Sequence, residues 1–366
     1  MKTLIPLLCL TSATLFANIE FSSNEVDAHE SEVVLKGNVL IKHPLGTLAA
    51  REATLFQEVA NQDNSTFLSA SLRSGVELQF TSQQPLHCEA ATIDFVHNQA
   101  SLSKVSVGQD QIKADSASLE MEKETLILYK PIGKIASNLI NLTRPDEICF
   151  SSNILNWDRK TGELSLKENI LVDGNSFGAM RSTDKIAFAT EKVDEKLLFK
   201  GFKATGKSHL ITPGGMKIIC DGLIEFDHDK HHLSATSINE PIVYENGELR
   251  IESNQLTFDQ LEGNPKIISF FDHVTFASGS MYGTAGGLTY KPDEHTLEFF
   301  SLDQENVVFH NKETDFKMCA DSLSITKDPI TQENIIQGHG IVKLTFDHKQ
   351  RDELLETLNS CMNQSF

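Results

Sequence analysis

The stretch QIKADSASLEM, residues 111–121, decides the fold, because the chain spells it again and again. HCEAATIDF (87–95), STDKIAF (182–188), ICDGLIEF (219–226), ESNQLTF (252–258), TAGGLTY (284–290) and CADSLSI (319–325) follow the same rule. A small residue comes first, an apolar residue three places on, and usually another two places further. Aligned on the small residue, the series is Ala50, Cys88, Ala114, Ser152, Thr183, Cys220, Ser253, Ala285 and Ala320. The spacing, roughly 26 to 38 residues, lies in the range of repeat architectures. Three places on stand Ala53, Ala91, Ala117, Leu155, Ile186, Leu223, Leu256, Leu288 and Leu323. Five places on, only Glu225 breaks an otherwise apolar column, with Phe226 beside it.

A second word alternates with the first: LKGNVLI (35–41), LKENILV (166–172), FFDHVTF (270–276) and DQENVVF (303–309). Each places a polar pair or triplet before a β-branched run. Turn signals such as HPLG, VDGN, TPGG and KPDE separate the words. The segments are short, rich in Val, Ile, Phe and Thr, and many alternate apolar with polar, so they read as strands. Within the first word the parity changes. In a regular strand Ile112 and Ala114 share one face, and Ala117 and Leu119 the other. A bulge or corner between them returns all four to one face. The plainer alternative is that small residues only mark strand ends.

Such a chain buries one face of each strand most simply as a long antiparallel sheet folded over on itself, apolar inside and polar outside. RDELLETLNSCM (351–362) is the one stretch with a helical period, and it predicts a short C-terminal helix. YKPIGKIASNLINLTRPDE (129–147) departs from the strand rhythm and marks a domain junction or long loop.

Composition narrows the function. The chain is 40% hydrophobic and 23% charged, so it can bury a core. A net charge of −19 argues against wholesale binding to nucleic acid or an anionic membrane surface. Lys2, the apolar run Leu4 to Phe16 and LFA before Asn18 read as an export signal over residues 1–17. Of six cysteines, Cys9 lies in that leader. The others are odd in number and widely spaced with no C-x-x-C pair, which argues against a zinc site and reads as buried thiols, with one or two disulfides, whose pairing the sequence does not give, as the alternative. FDHDKHHL (226–233), with Asp227, His228, Asp229, His231 and His232, is the best metal candidate, against the alternative of a solvated hairpin turn. No phosphate loop, nucleophile elbow or zinc-protease motif appears, so neither a catalytic residue nor a cofactor is assigned.

The pairing of LKGNVLI with GTLAAREATL (46–55) resembles the OstA-like periplasmic proteins of lipopolysaccharide transport. LKENILV, IKADSASLEM and GTAGGLTY resemble further units of the same kind. The resemblance covers most of residues 32–348. It implies an all-β, extended antiparallel β-jellyroll of repeated strand units, with segments at 18–130 and 150–348, a linker or long loop at 131–149 and a helical tail at 349–366. It also implies a non-enzymatic periplasmic component that holds lipopolysaccharide acyl chains in an apolar groove and joins related β-jellyroll domains by edge-strand pairing, with self-association as a further expectation. The apolar stripe expected to line the groove is Val39, Ile41, Leu55, Ile93, Leu119, Phe188, Phe258 and Tyr290. The strand SEVVLKGNVLI (31–41) is expected at the accepting edge and GIVKLTF (340–346) at the other, shielded by the tail. The alternatives are a structural or adhesive β-solenoid without ligand, and a polysaccharide-processing enzyme on a β-helix.

Overall fold

The computed structural model describes residues 19–60, 64–80, 85–108, 111–137, 146–175, 177–193, 196–259, 266–302, 306–328, 330–331 and 333–345. The expected signal at 1–17 and the expected helix within 349–366 lie outside these residues. Among the described residues the fold is 32 β-strands with one 3₁₀ turn at Pro292–Glu294. The strand registers are antiparallel, so the parallel coil of a β-helix is not what this chain builds. The chain divides into two compact units, Met1–Ile170 with Ala187–Phe199, and Leu171–Ile186 with Lys200–Phe366. Over 131–149, the strands Ile132–Ser137 and Asp146–Ser151 pair with each other.

The corner in the repeated word is real. In strand Ile112–Glu120 the buried residues are Ile112, Ala114, Ala117 and Leu119, while Lys113 and Asp115 are exposed. The parity switch therefore puts all four apolar residues on one side. The polar pair of the second word supplies the matching bulge on the neighbouring strand. Gly37 and Asn38, Glu168 and Asn169, and Asp272 and His273 all take positive φ. Lys36 faces Glu52 and Val39 faces Ala50, so two residues oppose one across that step. Phe271/Val274 repeats the arrangement opposite Gly286, where a Cβ would strike the Leu302 backbone.

The ladder also explains why the first residue of the word is small. A β-branched residue faces it in six copies, Val39–Ala50, Val76–Cys88, Val105–Ala114, Ile242–Ser253, Val274–Ala285 and Val307–Ala320, and at Val39, Val76 and Val274 it comes directly after the bulge. All twelve are buried. A larger residue inside the bend would collide with its branched neighbour. Where the small residue is a serine, the corner backbone satisfies its hydroxyl. Ser152 donates to the Ile154 carbonyl at 2.8 Å and Ser253 to that of Gln255 at 2.9 Å. Two copies differ from the aligned spelling. The buried corner residue is Ser182 rather than Thr183, and after Cys220 the buried positions are Ile224 and Phe226 rather than Leu223 and Glu225. These corners are one residue longer, which is why Glu225 seemed to break the column.

Each corner splits the strands into two layers whose apolar faces meet. In the first unit one inner row runs Leu55–Ala70–Ile93–Ala100–Leu119–Leu126–Trp157–Leu164. The facing layer carries Ile41–Leu48–Leu78–Leu86–Val107–Ile112–Gly133–Phe150. In the second unit the rows are Phe202–Phe226–Leu233–Phe258–Ile268–Tyr290–Leu297–Ile325–Ile336 and Met180–Leu210–Ile218–Tyr244–Ile251–Phe276–Gly283–Phe309–Met318–Leu344. Aromatic contacts join its layers: Tyr244 to Phe270 at 5.3 Å and Phe276 to Phe299 at 4.4 Å between centroids.

The expected first edge is not an edge. Strand Glu32–His43 pairs with Gly46–Ala60 on one side and with Glu20–Ser22 and Glu25–Ala28 on the other. The alternating pattern identified the strand but gave no count of the short strands laid outside it. At the far end, Lys343–Thr345 pairs with Phe316–Ala320 and Asn334–His339 with Ser322–Lys327, so each layer there has its own last strand.

Candidate functional site

The interior between the layers is the candidate site. Val39, Ile41, Leu55, Ile93 and Leu119 lie buried in the first unit. Leu55, Ile93 and Leu119 occupy one row of one layer, and Ile41 a row of the other. Phe188 is in the same unit, with ring centroids 6.1 Å from Phe150 and 5.9 Å from Phe199. Phe258 and Tyr290 share a row of the second unit, where Tyr290 is half-buried. The stripe thus belongs to two interiors, one in each unit.

These interiors are filled by their own side chains. In the first unit the corners lie along one side, and the strand ends opposite them form a seam between the layers. Across this seam the His43 and Phe95 rings stack at 6.0 Å. Arg159, just past the end of strand Ile154–Asp158, reaches to within 5.5 Å of the Phe80 ring and 5.7 Å of the Trp157 ring. A recess of ≈ 10 Å³, about the size of one water, remains among His43, Gly46, Leu48, Phe80 and Met121.

The electrostatics of the seam are those of buried groups. Arg159 is 2% exposed. Burial pushes its guanidinium down to about 10, against the opposing pull of the Glu124 carboxylate. The backbone holds the pair together, since the Arg159 N–H donates to the Glu124 carbonyl at 3.1 Å. Glu124 Oε2 and Trp157 Nε1 are buried without a hydrogen-bond partner. Burial also lowers the His43 imidazole. Its Nδ1 accepts the Leu45 N–H at 3.3 Å, which fits the neutral ring. In the second unit, burial pushes the Tyr244 phenol up, with Tyr290 adding to the shift.

Sequence reasoning missed the seam. Arg159 sits in the turn NWDRKTGE, where nothing in the local sequence distinguishes it from a solvated hairpin cation. The FDHDKHHL segment is a hairpin turn between strands Leu223–Asp227 and His232–Thr236. Lys230 pairs with Asp227 at 2.7 Å, and His232 with Asp259 at 2.9 Å. No group of three or more His, Cys, Asp or Glu placed to hold a metal lies among the described residues. Cys88, Cys149, Cys220 and Cys319 are unpaired; Cys88 and Cys220 are buried, Cys149 is exposed and Cys319 half-buried. Burial pushes the Cys88 thiol up to about 12.

No family model and no curated protein matches this chain. Solved structures with a similar course of the chain include the crystal structure of LptH, the LptA homologous periplasmic component of the conserved lipopolysaccharide transport device from Pseudomonas aeruginosa. The likeness covers 36% of this chain and 94% of that one, at 9% identity and a TM-score of 0.30.

Proposed function

We propose that this protein is a non-enzymatic periplasmic carrier that holds the acyl chains of lipopolysaccharide between the layers of its folded sheets. The observation that carries the reading is the set of inner rows. Each carries apolar residues from strand to strand through a unit, broken only by Gly133 and Gly283, so the interior is a track rather than a compact spot. The repeated words that resemble the OstA-like transport proteins supply the lipid class and the compartment. Removing acyl methylenes from water is worth about 0.8 kcal/mol per CH₂. Because the interiors are now filled, a guest must part the layers at the seam while the hydrogen-bonded corners hold. A passive track gives no direction, so the flow is driven by a partner. The outer strands Glu20–Ser22 and Glu25–Ala28 offer an edge for pairing with a related jellyroll domain.

Photo-crosslinking tests the reading. A crosslinker at Leu119 or Phe258 captures lipopolysaccharide, and one at Lys42 or Glu120 does not. Equal labelling of the two sets refutes an interior site.

A further inference from the structure

Two strands of the second unit carry a linked group of side chains on the face turned away from the core. Gly283 and Phe309 face each other on an inner row. Their neighbours Tyr282 and His310, also paired across the ladder, therefore point outward. The two rings meet edge to face with centroids 4.7 Å apart, and the Tyr282 hydroxyl is hydrogen-bonded to His310 Nδ1. The other ring nitrogen, Nε2, lies 3.0 Å from Asp315 Oδ1. Asp315 stands in the hairpin turn between Asn311 and Phe316, at a positive φ of 46°, and its carboxylate is directed back at the ring.

The carboxylate decides the order of donors. An ionised carboxylate only accepts, so Nε2 carries the imidazole proton and Nδ1 keeps its lone pair. The tyrosine hydroxyl is then the donor, aimed at a base whose tautomer a third group holds. A hydroxyl, a base within hydrogen-bond reach and a group that orients the base make up an activated nucleophile. The surroundings fit this role. The His310 side chain is 13% exposed, so water competes little for the imidazole. Lys312 Nζ lies 4.7 Å from the Tyr282 ring centroid, where a cation compensates the charge that gathers on the phenol as its proton leaves. Exposed Lys317 faces His310 across the ladder. On the other side exposed Ala277 faces Tyr282 and is too small to screen the phenol. Beyond it, Arg250 is engaged by Glu245 and Glu252.

We propose that Tyr282 is an acyl-acceptor site on the outer face, with His310 as its general base and Asp315 as the residue that positions the base. The donor is an activated ester. The phenol oxygen bonds to the acyl carbon while His310 Nδ1 takes the hydroxyl proton. The bond from the acyl carbon to the leaving oxygen breaks, and the imidazolium returns the proton to that oxygen. What remains is a phenyl ester on Tyr282 and a neutral His310. The site lies outside the layers and is independent of what the interior holds.

The test exposes the full chain briefly to p-nitrophenyl acetate, quenches in acid and locates the acetyl groups by peptide mass mapping. Tyr129, 41% exposed and so more accessible than half-buried Tyr282, is the reference within the same molecule. Tyr282 is expected to acetylate at least about tenfold faster than Tyr129, since a positioned base contributes about 10²–10⁴-fold. The rate at Tyr282 should follow the deprotonation of an imidazole. In His310→Gln the rate ratio should fall to about one and the pH profile should move to that of an ordinary phenol, near about 10. Asp315→Asn should lower the rate and displace the pH profile, which a merely structural role would not do. Circular dichroism checks that the variants fold, and the parent ratio alone decides the case if one does not. A Tyr282 that acetylates no faster than Tyr129, or whose rate and pH profile are unchanged in His310→Gln, overturns the proposal.

Discussion

The corner at Asp115 gives the sharpest test of the fold. Ala114 and Leu119 are five residues apart, so a regular strand puts them on opposite faces and only one of them in the core. The structure buries both. Ala114→Phe forces a ring against Val105, its buried partner across the ladder, and overpacking of this kind costs about 1–3 kcal/mol. Leu119→Ala leaves a hole flanked on its row by Ala100 and Leu126, at about 2–5 kcal/mol. Ala100 is too short to fill the hole, which favours about 3 kcal/mol or more. Exposed Lys113→Phe and half-buried Ser118→Ala should stay within about 0.5 kcal/mol. Trp157 is the sole tryptophan and lies buried in the first unit, so its fluorescence during urea unfolding reports that unit alone. A near-neutral result for either Ala114→Phe or Leu119→Ala would show that the strand does not turn at Asp115.

Arg159→Ala removes the buried charge that opposes Glu124 and leaves a gap beside the Phe80 and Trp157 rings; urea unfolding should show a loss of about 3 kcal/mol, recovered in part by adding Glu124→Gln. Burial holds the folded-state His43 below its ordinary range, so the unfolded chain binds the proton first, and first-unit stability should fall as pH drops through about 6.5. His43→Gln should flatten that dependence relative to the parent, and an unchanged slope would remove His43 from the account. Gly178 has a φ of 96° and a Cβ there would strike the Ile211 carbonyl, so Gly178→Ala should lower the thermal midpoint of the second unit, read by far-ultraviolet circular dichroism. Val39→Pro should unfold the first unit because its strand is paired on both sides. Val26→Lys, on an outermost strand, should leave circular dichroism intact but abolish pairing with a jellyroll partner in light scattering.

The sequence by itself determined that the chain is all-β, that it repeats, and, in all but two copies of the word, which residues face inward. Strand periodicity is local, and a small residue followed by a shifted apolar pair is a local record of a bend. The polar pairs of the second word were legible too, although only the register showed that they take the left-handed conformation opposite the small residues. Tertiary structure alone decided which interior each lining residue serves. Leu119 and Phe258 read alike in the sequence yet belong to different units. It also decided that Glu32–His43 is covered, because the strands that cover it are too short to signal themselves. The seam was equally invisible. Arg159, His43 and Phe95 lie far apart along the chain, each in an unremarkable turn or strand end, and only folding the sheet over its corners brings such strand ends together between the layers. A corner is written in a few adjacent residues, whereas a seam exists only after every corner has turned the same way.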